Sequence, residues 1–220
     1  MTEEPTYWTH LGLLRSVTWE DDQNGLLRLA YYHLKQKRIG VHRYDEHLEK
    51  ATLAIAIMHD GDGRYAQHPD TRWDLDRASH DEMTAITYFI SHYDDGLLEA
   101  TLLEDIKLGY YAKYIQIIFY LLAIKYRSKI ALWIACLIVY LGVRTKEKAA
   151  NGRWDTDSEL LALLKIDTIE RVFGAMPLKD KILSKIREHW GQDYMKTLID
   201  EMLWHAPDHP LRTDIKHNDS

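Results

Sequence analysis

A polar segment of 24 residues, from His59 to Glu82, lies between two apolar runs and limits most strongly how this chain can fold. The segment contains three histidines, seven carboxylates and three arginines, whereas the flanking runs LAIAIM and MTAITYFI carry no charge. Connections between helices in compact domains usually have about 2–8 residues, and longer ordered loops are often functional. We therefore expect a helix on each side of this segment and a functional site within it.

Along most of the remaining chain, apolar residues recur at intervals of three and four, the spacing of a helix with one buried face. The pattern predicts a single all-α domain of about nine helices, packed as antiparallel pairs in an α/α layered or partly toroidal arrangement. The domain covers residues 1–205, and a polar tail covers residues 206–220. Helices are expected in GLLRLAYYHLKQK, EHLEKATLAIAIM, MTAITYFISHY, LLEATLLEDIKL, 110–125, 128–144, ELLALLKIDTIERVF, LKDKILSKIREHW and DYMKTLIDEMLWH.

The third helix has a clear start signal. Ser79 and Glu82 form the S-x-x-E pattern of a capping box, in which the serine hydroxyl accepts the N–H of the glutamate. In the same box the Glu82 carboxylate would reach back to the Ser79 amide. The third helix should therefore begin after Ser79. The first helix should be capped in a similar way by Asp21, Asp22 or Asn24.

The most apolar part of the chain extends from residue 114 to residue 143. It contains two mainly apolar runs of 10 and 14 residues, which are separated by KYRSK. Each run is shorter than the roughly 20 residues that span a bilayer. Two buried core helices are favoured over a hairpin inserted in a membrane. The second run is apolar on all sides, so we expect Trp133, Leu137 and Tyr140 in the middle of the core and Cys136 as a buried, inert thiol.

Charge and cysteine content restrict the partners and the compartment. The net charge is −6, and no cluster of Lys and Arg is present, which argues against a nucleic-acid partner because phosphate contacts need a basic surface. The first ten residues, MTEEPTYWTH, lack the basic and then apolar order of an export signal. A single cysteine cannot form an intrachain disulfide, and this fits the reducing cytoplasm of a cell.

A divalent metal site is one hypothesis for the polar segment. The sequence AIMHDGDG resembles the metal-dependent phosphohydrolases of the HD type, in which an apolar helix ends in His-Asp. The resemblance implies that His59 and Asp60 bind a metal ion that activates water. The further ligands would be His33 or His47 upstream and Asp94 or Asp95 downstream.

A calcium site is a second hypothesis. Asp60-Gly-Asp62-Gly resembles the opening of a calcium-binding loop, but Arg64 and Thr71 stand at its fifth and twelfth positions, where an EF-hand needs oxygen ligands. This excludes an EF-hand. A looser site of carboxylate oxygens remains, formed among Asp60, Asp62, Asp70, Asp74 and Asp76.

A carbohydrate site is the third hypothesis. Two carboxylates about 5–9 Å apart can hydrolyse a glycosidic bond, and aromatic side chains beside them stack on sugar rings. Asp76 and Asp81 are the candidate catalytic pair, with Trp73 and Trp154 as the candidate stacking residues.

Short motifs along the chain occur in the order DDQNGLLRLAYYHL, GDGRYAQHPDTR, SHDEMTAI, SELLALLKI and DHPL. Together they resemble a loosely defined group of uncharacterised, mainly helical proteins encoded by tailed bacteriophages and some bacteria. The resemblance implies a phage protein in the host cytoplasm or in the virion, and it singles out the residues Asn24, His68, Arg72, Ser79, His80 and Asp81.

The leading functional expectation is a helical protein that acts by binding other protein subunits, as a virion-associated component or a host-interaction factor. The residues expected to bind the partner are Asn24, His68, Arg72, Ser79 and His80. The alternative is a hydrolase that uses residues 59–82, either metal-dependent through His59, Asp60 and Asp62 or carboxylate-based.

Overall fold

Nine helices and one small sheet make up the parts of the chain that the computed structural model describes, residues 6–8, 13–16, 25–40, 44–69, 77–93, 96–112, 115–143 and 157–192. The protein is a single all-α domain, as predicted. The helices are α1 Gly25–Ile39, α2 Tyr44–Met58, α3 His80–Ile90, α4 Gly96–Asp105, α5 Leu108–Tyr111, α6 Ile115–Tyr126, α7 Lys129–Gly142, α8 Asp157–Phe173 and α9 Lys179–Trp190.

The sequence did not reveal the sheet. Strand β1, Thr6–Trp8, pairs antiparallel with strand β2, Leu14–Ser16. Strands of three residues are too short for an alternation of apolar and polar residues to stand out. The helix expected at 110–125 is also divided, since the single turn α5 precedes α6. The last predicted helix, DYMKTLIDEMLWH, and the predicted tail 206–220 lie outside the described residues.

Helix α3 is the centre of the described part of the fold. It packs against α1, α2, α4, α6 and α8, and all nine of its residues from Glu82 to Ile90 are buried. A helix surrounded in this way must be apolar on almost every side, and MTAITYFI meets this requirement. The described helices are therefore grouped around a central helix.

Helix α7 was expected at the centre, and this prediction was wrong. It packs mainly against α6 and to a smaller extent against α9. Its Ala131, Ala135 and Cys136 are buried, whereas Trp133 and Leu137 are 57% and 48% exposed. Apolar residues on all sides of a helix require cover on all sides, and the described residues cover only one side of α7. Among these residues, no helix is long and apolar enough to cross a membrane.

Candidate functional site

The first part of the polar segment, residues 59–69, is folded as an ordered turn at the end of α2. His59 and Tyr65 form a single antiparallel bridge, and the N–H of Ala66 donates to the carbonyl of Met58 at 2.9 Å. The N–H of Tyr65 donates to the hydroxyl of Tyr111 at 3.0 Å. These hydrogen bonds of backbone groups give the turn a defined shape.

Asp60 organises this turn. Its Oδ1 accepts the N–H groups of Asp62 and Arg64 at 2.8 and 3.0 Å, and its Oδ2 accepts the Arg64 guanidinium at 2.5 Å. Burial alone would raise the pKa of Asp60, but these hydrogen bonds hold it below its ordinary value. Both carboxylate oxygens are therefore used within the turn, which is a structural role.

The candidate metal ligands do not form a metal centre among the described residues. The Nε2 of His59 accepts the N–H of Gly63 at 3.1 Å, and Asp62 is paired with Lys107 at 2.5 Å. In the described ranges, no group of three or more His, Cys, Asp or Glu side chains could hold a metal ion. The other proposed ligands Asp70, Asp74, Asp76, Asp94 and Asp95 lie outside these ranges.

The capping box at α3 is half confirmed. Ser79 is the N-cap, and its Oγ accepts the N–H of Glu82 at 3.2 Å. The expected return bond from Glu82 to the Ser79 amide is wrong, because the side-chain oxygen of Gln67 accepts that N–H. The Glu82 carboxylate instead accepts the N–H groups of Leu26 and Leu27 at 3.0 and 3.1 Å. The first turn of α3 thus caps the start of α1.

Three polar side chains form a hydrogen-bonded chain at the start of α3, and we call it the Asp81–His80–Lys165 chain. The Nδ1 of His80 lies 2.7 Å from Asp81 Oδ1, and its Nε2 lies 2.8 Å from the Nζ of Lys165 on α8. The Nζ of Lys165 also lies 5.6 Å from the centre of the Tyr120 ring on α6. Elements α3, α6 and α8 therefore meet at this amino group.

Burial perturbs the titration of this chain. Burial lowers the pKa of Lys165 to about 8, although the Asp81 carboxylate opposes the shift. Burial and the charge of Lys165 also lower the pKa of His80, against the effect of Asp81. The two basic groups share one hydrogen bond, and burial weakens the affinity of both for a proton. Titratable groups perturbed in this way are frequent at functional sites.

A second polar network lies at the other end of α3. Asp167 accepts hydrogen bonds from Lys37 Nζ at 2.8 and 3.1 Å and lies 3.1 Å from His92 Nε2. His33 bonds the hydroxyl of Tyr88 at 2.7 Å, and burial lowers the pKa of His33 to about 3. The network joins α1, α3 and α8. Its role is therefore structural, because such a network holds packed helices in one arrangement.

The structure brings together some of the candidate residues named from the sequence. Ser79, His80 and Asp81 are adjacent at the start of α3, and the last two interact. His68 is fully buried, and its proposed role in binding stays a prediction. The other candidates Asn24, Arg72, Trp73, Asp76 and Trp154 lie outside the described residues.

Sequence reasoning missed Lys165 and Asp167. Both are on α8, within the run ELLALLKIDTIERVF. A signal for Lys165 was present, because it is a lone lysine on the stripe that also contains Leu161 and Thr168, and all three are buried. Lys and Asp are almost never fully buried unless they are paired. A charged residue within an apolar helical stripe therefore predicts a buried partner, although it does not identify one.

The exposed side of α7 is the second feature of interest. Ile130, Trp133, Leu137 and Leu141 are 78%, 57%, 48% and 64% exposed. Their spacing of three, four and four residues places them on one side of the helix, and we call this surface the α7 face. Contiguous apolar surface of this kind often marks an interaction site.

Comparisons with known proteins add no relative. No protein-family model, no curated protein and no solved structure matches the chain.

Proposed function

We propose that the protein is a helical structural subunit that acts by binding, and that its α7 face docks against the α7 face of a second copy of the same chain. The observation that carries the proposal is the exposure of Ile130, Trp133, Leu137 and Leu141 on one side of the helix. Monomeric proteins rarely expose larger apolar patches than about 300–600 Å², and such patches are often functional.

The shape of the α7 face favours a two-fold, antiparallel pair. The face extends from Ile130 to Leu141, and in an antiparallel pair these two positions of opposite chains lie side by side. Trp133 then lies against the Leu137 region of the other copy, so that each large side chain meets a smaller one. An interface in which the same patch serves both partners is the commonest form of homodimer.

The charge at the start of α7 also favours a second copy. The half-buried Ile134 and Ile138 flank the face and add to its apolar surface. The exposed Lys129 is at the N-terminal end of α7. In the antiparallel pair its ammonium group lies beside the negative, C-terminal end of the partner's helix, where a cation is stabilising.

The phage context of the proposal rests on the motifs GDGRYAQHPDTR and SHDEMTAI described above. A subunit that associates with itself suits a virion component or a host-interaction factor. The hydrolase alternative has weaker support. Asp60 uses both of its carboxylate oxygens within a turn, and Asp76 lies outside the described residues.

Sedimentation of the full chain over a range of concentrations tests the proposal. We expect a dimer for the native sequence and a monomer for Trp133→Glu, since a charge in an apolar interface is strongly unfavourable. Leu53→Glu is the matched control, because Leu53 is a 52% exposed apolar residue on α2. This control should remain a dimer.

Disulfide trapping tests the orientation. A chain with Ile130→Cys and Leu141→Cys together should form a covalent dimer on oxidation, whereas each single variant should not. A native chain that stays monomeric would overturn the proposal. Flotation of the native chain with phosphatidylglycerol vesicles would also overturn the proposal if Trp133→Glu abolished it, because the α7 face would then bind a membrane surface.

A further inference from the structure

We infer that Lys165 is a nucleophile that condenses with a small aldehyde or ketone to form an imine, with His80 as its base and Asp81 as the positioning residue. This inference is independent of the α7 face and goes beyond the proposed binding role. It rests on the hydrogen-bonded chain that joins the start of α3 to the middle of α8.

The geometry is that of an activated nucleophile. The Nζ of Lys165 is 2.8 Å from His80 Nε2, and His80 Nδ1 is 2.7 Å from Asp81 Oδ1. A nucleophile within hydrogen-bond reach of a base, which a third group orients, is the common arrangement of covalent catalysis. Ser79 is not part of this relay, because its Oγ accepts the N–H of Glu82 as the N-cap of α3.

The position of each proton follows from the partners. An ionised carboxylate only accepts hydrogen bonds, so the Asp81 oxygen requires the proton of His80 on Nδ1. The lone pair of His80 Nε2 then faces the Lys165 ammonium group and accepts its hydrogen bond. The imidazole is thus oriented to take a proton from this amine, and Asp81 stabilises the imidazolium that forms.

The surroundings of the amine increase the fraction of its neutral, nucleophilic form. Lys165 is only 4% exposed, and the Tyr120 ring covers it from α6 at 5.6 Å. Burial lowers the pKa of Lys165 to about 8, while burial raises the pKa of Tyr120 to about 12. The negative charge of Asp81 acts in the opposite direction, because it stabilises the protonated amine of Lys165.

The reaction balances without any other reactant. The Lys165 ammonium gives one proton to His80 Nε2, and the free electron pair of the amine attacks the carbonyl carbon. The carbonyl oxygen takes the proton from His80 and becomes a hydroxyl group. A second proton moves from the amine to this hydroxyl group, which leaves as water when the C=N bond forms. One ammonium and one carbonyl compound thus become one protonated imine and one water molecule.

Access restricts the substrate to a small molecule. The side chains of His80 and Asp81 are 18% and 27% exposed, so solvent reaches the chain from their side. A carbonyl compound must therefore be small, and it must displace the His80 ring to reach the amine, because Lys165 is only 4% exposed.

Reductive trapping tests the inference on the full chain. Glycolaldehyde and sodium cyanoborohydride convert an imine to a stable secondary amine, which peptide mapping assigns to a lysine. We expect Lys165 to be modified at least about tenfold faster than the exposed Lys181 at neutral pH, because burial lowers the pKa of Lys165 and its base is within hydrogen-bond distance. The rate at Lys165 should level off above about pH 8.

Variants separate the roles of the three residues. His80→Gln should slow the modification of Lys165 about 100-fold, the scale of a general base, and Asp81→Asn should slow it less. Lys165→Arg keeps the charge and should abolish the adduct, with unchanged helicity by circular dichroism as the folding control. Modification of Lys165 no faster than of Lys181 would overturn the inference, and so would an equal rate in a folded His80→Gln chain. The pH profile of the native chain decides the question even where a variant fails to fold.

Discussion

The Glu82 carboxylate lies 3.0 Å from the backbone nitrogen of Leu26, a residue 56 positions earlier in the chain. Its other oxygen accepts the N–H of Leu27 at 3.1 Å. The first N–H groups of a helix have no partner within that helix, and Glu82 supplies one to α1 from the first turn of α3. The starts of two packed helices are thereby joined through one fully buried side chain.

Removal of this carboxylate should destabilise the fold. Glu82→Ala leaves two buried N–H groups without an acceptor, at a cost of about 2–4 kcal/mol in the free energy of unfolding. Glu82→Gln keeps one acceptor and should cost about half as much. Chemical denaturation measures both values, and Glu188→Ala, at an exposed site on α9, should change the free energy by less than about 0.5 kcal/mol. An equal, small effect of all three changes would contradict the capping role.

Glu82 also gives the stability a dependence on pH. Burial raises the pKa of Glu82 well above its ordinary value, although the N–H groups of Leu26 and Leu27 act in the opposite direction. A raised pKa in the folded state stabilises the fold at low pH, and this contribution is lost as the pH rises through that pKa. The native chain should therefore lose stability relative to Glu82→Gln as the pH rises above about 4.3, the unfolded pKa of a glutamate. Parallel stability curves for the two chains would disprove this.

Two glycines in the turn after α2 form a matched pair. Gly61 and Gly63 both have positive φ, +80° and +75°, but a Cβ at Gly63 would lie 1.6 Å from the carbonyl oxygen of Asp105, whereas a Cβ at Gly61 meets nothing within 4 Å. Gly61→Ala should cost about 1–2 kcal/mol, the strain of a left-handed backbone. Gly63→Ala must also displace the backbone and should cost about 4 kcal/mol or more. Thermal unfolding of both variants tests the order, which similar melting temperatures would refute.

Asp167 should stabilise the fold above acidic pH. Burial alone would raise the pKa of Asp167, but the hydrogen bonds from His92 and Lys37 hold it well below its ordinary range. The contribution is complete above the unfolded pKa of about 3.9 and is lost as the pH falls below it. Asp167→Asn should lower the free energy of unfolding at neutral pH by about 1–3 kcal/mol, less than for a fully buried pair because Lys37 is partly exposed.

The pH dependence provides the control for Asp167. The difference between the native chain and Asp167→Asn should decrease as the pH falls below about 3.9. Glu104→Gln, at an exposed position on α4, should produce no comparable difference at either pH. A constant deficit of Asp167→Asn at all pH values would indicate lost packing and not a lost ion pair.

Cys136 should be unreactive in the folded protein. The residue is fully buried on the side of α7 that faces α6, and burial raises the pKa of its thiol to about 12. Because the thiolate is the reactive form, a thiol reagent such as Ellman's reagent should label the chain only after unfolding in denaturant. Rapid labelling without denaturant would show that α7 separates from α6.

The sequence by itself determined most of the described helices and their local ends. Intervals of three and four between apolar residues predicted α1, α2 and α8 close to their observed bounds, and Ser79 correctly marked the start of α3. These features depend on residues within one or two turns of each other, so the local pattern contains the information.

Tertiary structure alone decided which side chains meet. The N–H of Leu26 donates to Glu82, which is 56 residues away. His80 is paired with Lys165, which is 85 residues away. Trp133 faces outward although α7 is apolar on every side. A helical pattern states that a face is to be buried but not what will cover it. The partner of a buried charge is likewise chosen by the packing of distant helices, because only that packing brings the two groups within hydrogen-bond distance.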